Sequence, residues 1–206
     1  MKILLSKISI FSLMFFYSFG AQASCSMVPV VQVSFKSSSP KYYSVPAQSV
    51  RDACIKSDYV PVGCTHYKIS YHYNYKTSNS KGCLGVNKID MNLYYKEGDF
   101  YVYIEDKYPK GSCEYNAIKK HEDLHVKIDQ TVDVKKIEAL LKKCIIEING
   151  RNMSGSVLGD AVKNCAQQAF DLDEGIRKEN NRELDLDQTK QPNLKQNCQG
   201  NNYQFR

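Results

Sequence analysis

The hydrophobic pattern changes period midway along the chain, and this constrains the fold more than any other feature. Over residues 65–75, Tyr67, Ile69, Tyr71, Tyr73 and Tyr75 fall on one side and His66, Lys68, Ser70, His72 and Asn74 on the other. Period two belongs to a half-buried strand. Over residues 133–148 the apolar side chains stand at 134, 137, 140, 141, 145 and 148, the spacing of a helix face. Strands first and helices after point to an α+β fold.

Further strands are expected over residues 28–35, 86–95 and 100–105. The last two flank Lys96-Glu97-Gly98-Asp99, a hairpin signal with glycine in a short loop. The sheet is therefore expected to be mostly antiparallel, with the 86–105 hairpin as its exposed edge. Residues 36–64, which include Ser37-Ser38-Ser39-Pro40, read as turns, and Pro109 and Gly111 break the chain before the helices. Three helices should follow. The first runs over about 113–129 and is capped by Ser112. The second, over 133–148, is closed by Asn149-Gly150. The third starts at Ser154 or Ser156 and reaches about residue 184, with an apolar stripe of Leu158, Ala161, Val162, Cys165, Ala169, Leu172 and Ile176. Residues 188–206 form a polar tail.

Residues 1–23 read as a signal peptide. Lys2 and Lys7 precede the largely apolar stretch 8–19, and Ala21-Gln22-Ala23 matches the small-x-small cleavage pattern. A spanning helix would need about 20 apolar residues, so no membrane association is expected after cleavage. Cleavage leaves 183 of 206 residues as one domain over 24–187 plus the tail. It removes two lysines and no acid, leaving 26 basic against 22 acidic residues, a net +4. The lysine pairs 119–120, 135–136 and 142–143 are interspersed with acids on helical stretches, so no nucleic-acid groove is expected. All eight cysteines remain. In an exported chain they read as up to four disulfides, with 105 possible connectivities. No Cys-x-x-Cys occurs, which argues against a zinc ribbon or a thioredoxin-like site. The location is expected to be secreted or periplasmic.

The first helix carries His121-Glu122-Asp123-Leu124-His125, an HExxH. Residues i and i+4 share a helix face, so the two imidazoles can bind one Zn²⁺. Glu122 then lies beside the metal, placed to take a proton from a water whose pKa the metal lowers towards ~7.

On this motif the chain resembles the zincin metallopeptidases, over a strand–loop–helix segment of about residues 100–129. The resemblance implies a β-sheet before the HExxH helix, a later helix that closes the site, His121 and His125 as zinc ligands, Glu122 as catalytic base, and a peptide or protein as substrate. Two features depart from the family: Lys119 and Asp123 are charged, and no third histidine extends the motif.

A catalytic zinc has three protein ligands. His66 and His72 lie on the polar side of their strand. An acidic ligand from the third helix is expected instead, as in the glutamate-ligand branch of the zincins. Asp173 lies close to the stripe of Ala169 and Ile176, and Glu183 near its extension. Arg177 and Arg182 read as solvated helix charges ahead of oxyanion stabilisers, the tyrosine row as ordinary sheet packing ahead of the lining of a peptide groove, and Cys113 as a disulfide that anchors the helix start ahead of a thiolate ligand. The expected function is zinc-dependent peptide hydrolysis. The alternative is a disulfide-stabilised binding protein whose metal site is structural or inactive.

Overall fold

The computed structural model describes residues 27–54, 61–80, 82–151 and 153–187, together with 194 and 198. The expected signal peptide lies outside the described residues, as does most of the polar tail. The elements are β1 (Val30–Lys36), β2 (Lys41–Val45), α1 (Ala47–Ala53), β3 (Gly63–Ser80), β4 (Cys83–Glu105), α2 (Cys113–Gln130), α3 (Val134–Asn149) and α4 (Gly155–Leu186).

The sheet corrects the expected mostly antiparallel arrangement. β1 and β2 both pair parallel with β4, and only β3 pairs antiparallel with it. Residues 86–105 are not a hairpin but lie within the single long strand β4. The hairpin is β3–β4, closing where Ser80 pairs with Cys83 and Gly82 takes φ +79°. The stretch Lys96-Glu97-Gly98-Asp99, with Gly98 at φ +81°, is an excursion within β4. Across it β3 shifts register, from Tyr67 opposite Phe100 to Ile69 opposite Tyr95. A turn cannot form there because β4 is held on both sides. β3 follows one edge, while β1 pairs along residues 88–94 of the other edge and β2 along 101–105. Residues 37–40, the Ser/Pro cluster, carry the chain from β1 to β2 past this excursion. β4 is thus interior, and among the described residues β3 has a free edge. The stretch read as turns holds β2 and α1.

Strand alternation separates the two faces of the sheet. Ile89, Met91, Leu93, Phe100, Val102 and Ile104 of β4 point into the core. There they meet Ile118 and Val126 of α2, Ile137, Leu141 and Ile145 of α3, and Leu158, Val162 and Phe170 of α4. The tyrosine row of β3 faces α4: the Tyr71 ring lies 4.9 Å from Phe170 and its hydroxyl donates to Gln167 at 2.6 Å. It packs the sheet on the helix rather than lining a groove. Ser112 caps α2, its hydroxyl accepting from the Tyr115 N–H at 3.0 Å. Asn149 ends α3 with its side chain, which bonds both the N–H and the C=O of Val86.

Disulfides join Cys54 to Cys64, Cys113 to Cys198 and Cys144 to Cys165. Cys83 is disulfide-bonded too, and no described cysteine is free. The Cys113–Cys198 bridge ties the tail to the first residue of α2. The Cys144–Cys165 bridge joins α3 to α4 across 21 residues of sequence. Replacing Cys144 and Cys165 by alanine should lower unfolding free energy by about 3 kcal/mol, the loop-closure entropy of that length, measured by chemical denaturation. Among the described residues no helix is long and apolar enough to cross a membrane.

Candidate metal centre

Two rows of side chains at i+4 spacing face each other across α2 and α4. On α2 they are His121, His125 and Asp129; on α4, Asp173, Arg177, Asn181 and Asp185. The helices run antiparallel. Asp185 meets His121 and His125, Asn181 meets His125 and Asp129, and Asp173 meets the chain at Asp133.

At one end of this seam three donor atoms converge. His121 Nε2 and His125 Nε2 are 3.1 Å apart, and Asp185 Oδ1 lies 3.0 Å from the second and 3.6 Å from the first. Ligands at ~2.0–2.1 Å from a tetrahedral zinc are separated by ~3.3–3.4 Å. The donor set therefore fits zinc in both chemistry and spacing. Both histidines are buried, while the Asp185 side chain is 59% exposed, leaving one side of the group open. Burial pushes the His125 imidazolium down, but the Asp185 hydrogen bond and the nearby Glu122 charge outweigh this and bring it to about 9. Burial pushes the Asp185 carboxyl up. Its bonds to the two histidines prevail and hold it well below the usual carboxylate range.

Glu122 is buried between α2 and the start of β3. Its Oε2 accepts from the Thr65 hydroxyl at 2.8 Å. Burial raises its pKa against the pull of His125, Thr65 and His121. Gly63 makes room for it: a Cβ there would lie 2.6 Å from Glu122 Oε1 and 2.7 Å from Ile118 Cγ2. Gly63→Ala should therefore displace Glu122 and cost about 1–3 kcal/mol. At this chain length that is a drop of roughly 3–10 °C in Tm, measured by thermal unfolding.

No family model matches the chain, and no curated protein and no solved structure matches it either.

The structure brings His121, Glu122 and His125 together, with Asp185 as the acidic neighbour from α4. Neither Asp173 nor Glu183 is in the group. Asp173 is buried in an ion pair with Arg177, at 2.9 Å, and accepts the Asp133 N–H at 3.2 Å. Glu183 is exposed. Arg177 is 1% exposed with its guanidinium 5.3 Å over the Tyr67 ring, and Arg182 pairs with Glu179 at the surface. His66 stacks on Tyr101 on the other face of the sheet. The charged departures pair with each other: Lys119 contacts Asp123 at 2.8 Å, and Asp123 accepts the Tyr42 hydroxyl at 2.5 Å.

Sequence reasoning missed Asp185, Asn181, Asp129 and Thr65. The first three carried a signal, the polar i+4 rows. It was obscured because the apolar stripe of α4 was extended past Ala169, where the helix face turned to α2 becomes polar.

Proposed function

We propose that this chain is an exported zinc-dependent hydrolase that cleaves peptide bonds. The observation that carries the reading is the convergence of His121, His125 and Asp185 donor atoms, all within 4.8 Å of one another, with the buried carboxylate of Glu122 on the same helix. His121, His125 and Asp185 would hold the ion. A zinc there supplies Lewis acidity and makes water nucleophilic near neutral pH. Glu122 takes the proton from the attacking water and returns it to the leaving amine. Thr65 and Gly63 hold that carboxylate in place. An extended substrate can add beside the free edge of β3, whose first residues lie against Glu122; the interior strand β4 offers no such edge. The disulfides support an oxidising compartment, as export would supply.

The test is metal analysis of the purified protein with and without His121→Ala. One zinc per chain, lost in the variant, is the expected result. A protein that takes up no stoichiometric metal overturns the reading.

A further inference from the structure

We infer that Asp129 and Asn181 form a relay that dictates which nitrogen of His125 is free to bind metal, and so sets the affinity of the centre. The inference rests on the reading of His121, His125 and Asp185 as a metal centre, and it adds two residues that touch no metal.

The argument is one of hydrogen-bond polarity. Asp129 is 1% exposed, and burial raises its carboxyl to about 7; above that pH it is ionised and can only accept. Asn181 Nδ2 therefore donates to Asp129 Oδ1, at 2.7 Å. With its amine turned that way, Asn181 presents its carbonyl Oδ1 to His125 Nδ1, at 2.8 Å. A carbonyl only accepts, so Nδ1 must carry the proton. Nε2, 3.0 Å from Asp185 Oδ1 and 3.1 Å from His121 Nε2, is then the nitrogen turned to the donor cluster: without metal it can donate to the Asp185 carboxylate, and a metal there would take the place of that proton. The carboxylate thus gives direction to the whole chain, and neither oxygen nor amine of Asn181 can be exchanged without breaking a buried bond.

The surroundings hold the relay still. The Tyr95 hydroxyl donates to the main-chain oxygen of Asp129 at 2.7 Å. The buried Arg177 guanidinium lies over the Tyr67 ring. An imidazole oriented by such an outer partner keeps its tautomer and ring position, and losing the partner typically costs ten- to hundredfold in metal affinity.

An amide at position 129 has the shape of the carboxylate but can also donate. The chain of bonds can then reverse: Asn181 turns its amine to His125, Nδ1 accepts, and the proton moves to Nε2. Asp129→Asn should therefore weaken zinc binding about tenfold, and Asn181→Leu about ten- to hundredfold, by chelator competition at pH 8, where the Asp129 carboxyl, at about 7, is ionised. Glu183→Gln, an exposed change on the same helix, should leave the affinity unchanged. In metal-free protein, proton NMR should find the His125 Nδ1–H in slow exchange with water in the wild type, held by the Asn181 carbonyl at 2.8 Å. It should find that proton exchanging faster in Asn181→Leu, where its acceptor is gone. The inference is overturned if both variants bind zinc within twofold of wild type, or if the His125 Nδ1–H is equally protected from exchange in wild type and Asn181→Leu. Should the wild type bind no zinc, the metal-centre reading fails, and the exchange measurement still decides whether the relay exists.

Discussion

Glu122→Gln is expected to reduce hydrolysis about 10²- to 10⁴-fold while zinc content stays at the wild-type level. That range is the usual contribution of a positioned general base. The substitution keeps the shape of the side chain, and its carbonyl can still accept the Thr65 hydroxyl that Glu122 Oε2 accepts at 2.8 Å. It removes the ability to take a proton. His121, His125 and Asp185 are untouched, so the metal should remain. The measurement is kcat/KM on an unstructured protein and on a broad peptide library, with metal analysis of the same samples. Equal activity in wild type and variant would show that Glu122 is not the base. Zinc bound by both, with no Glu122-dependent cleavage of any substrate, would favour a binding protein with an inactive metal site.

Asp173→Ala and Asp185→Ala should fail in opposite ways. Asp173 pairs with Nε of Arg177, which is 1% exposed and whose Nη1 and Nη2 have no hydrogen-bond partner among the described residues. Removing the carboxylate leaves a buried guanidinium uncompensated, and such a loss costs about 3–5 kcal/mol. The Asp133 N–H at the start of α3 also loses its acceptor. The Asp185 side chain is largely exposed and its partner His125 can shed its proton, so its loss should lower unfolding free energy by clearly less than the loss of Asp173. The zinc affinity of Asp185→Ala should fall more than about a hundredfold, beyond the cost of losing an outer partner alone. Denaturant titration and chelator competition on both variants separate the cases. A folded Asp173→Ala protein of wild-type stability would overturn the structural role given to that ion pair. An Asp185→Ala protein that binds zinc at full affinity would remove Asp185 from the centre.

Much of the helical half was legible in advance because its signals are local. The hydroxyl of Ser112, the apolar spacing in α3 and the stop at Asn149-Gly150 each act within a few residues. The strands were also legible as strands, but their partners were not. Lys96-Glu97-Gly98-Asp99 has the composition of a hairpin loop, and in isolation the chain would be free to turn there. Pairing along both edges of β4 makes it an excursion in a straight strand instead. Parallel pairing of β1 and β2 with β4 leaves no turn signature, because the strands are joined through distant chain.

The sequence by itself determined that His121 and His125 share a helix face with Glu122 beside them, since helical geometry alone places residues four apart together. It also determined the wealth of cysteines that could brace a small domain. Only the tertiary structure decided strand direction and which carboxylate of α4 meets the histidines. That choice depends on how two helices lie against each other. Along α4, Asp173, Arg177, Asn181 and Asp185 repeat at one spacing, yet the antiparallel seam gives the first two to an ion pair, the third to His125 and the fourth to the donor cluster.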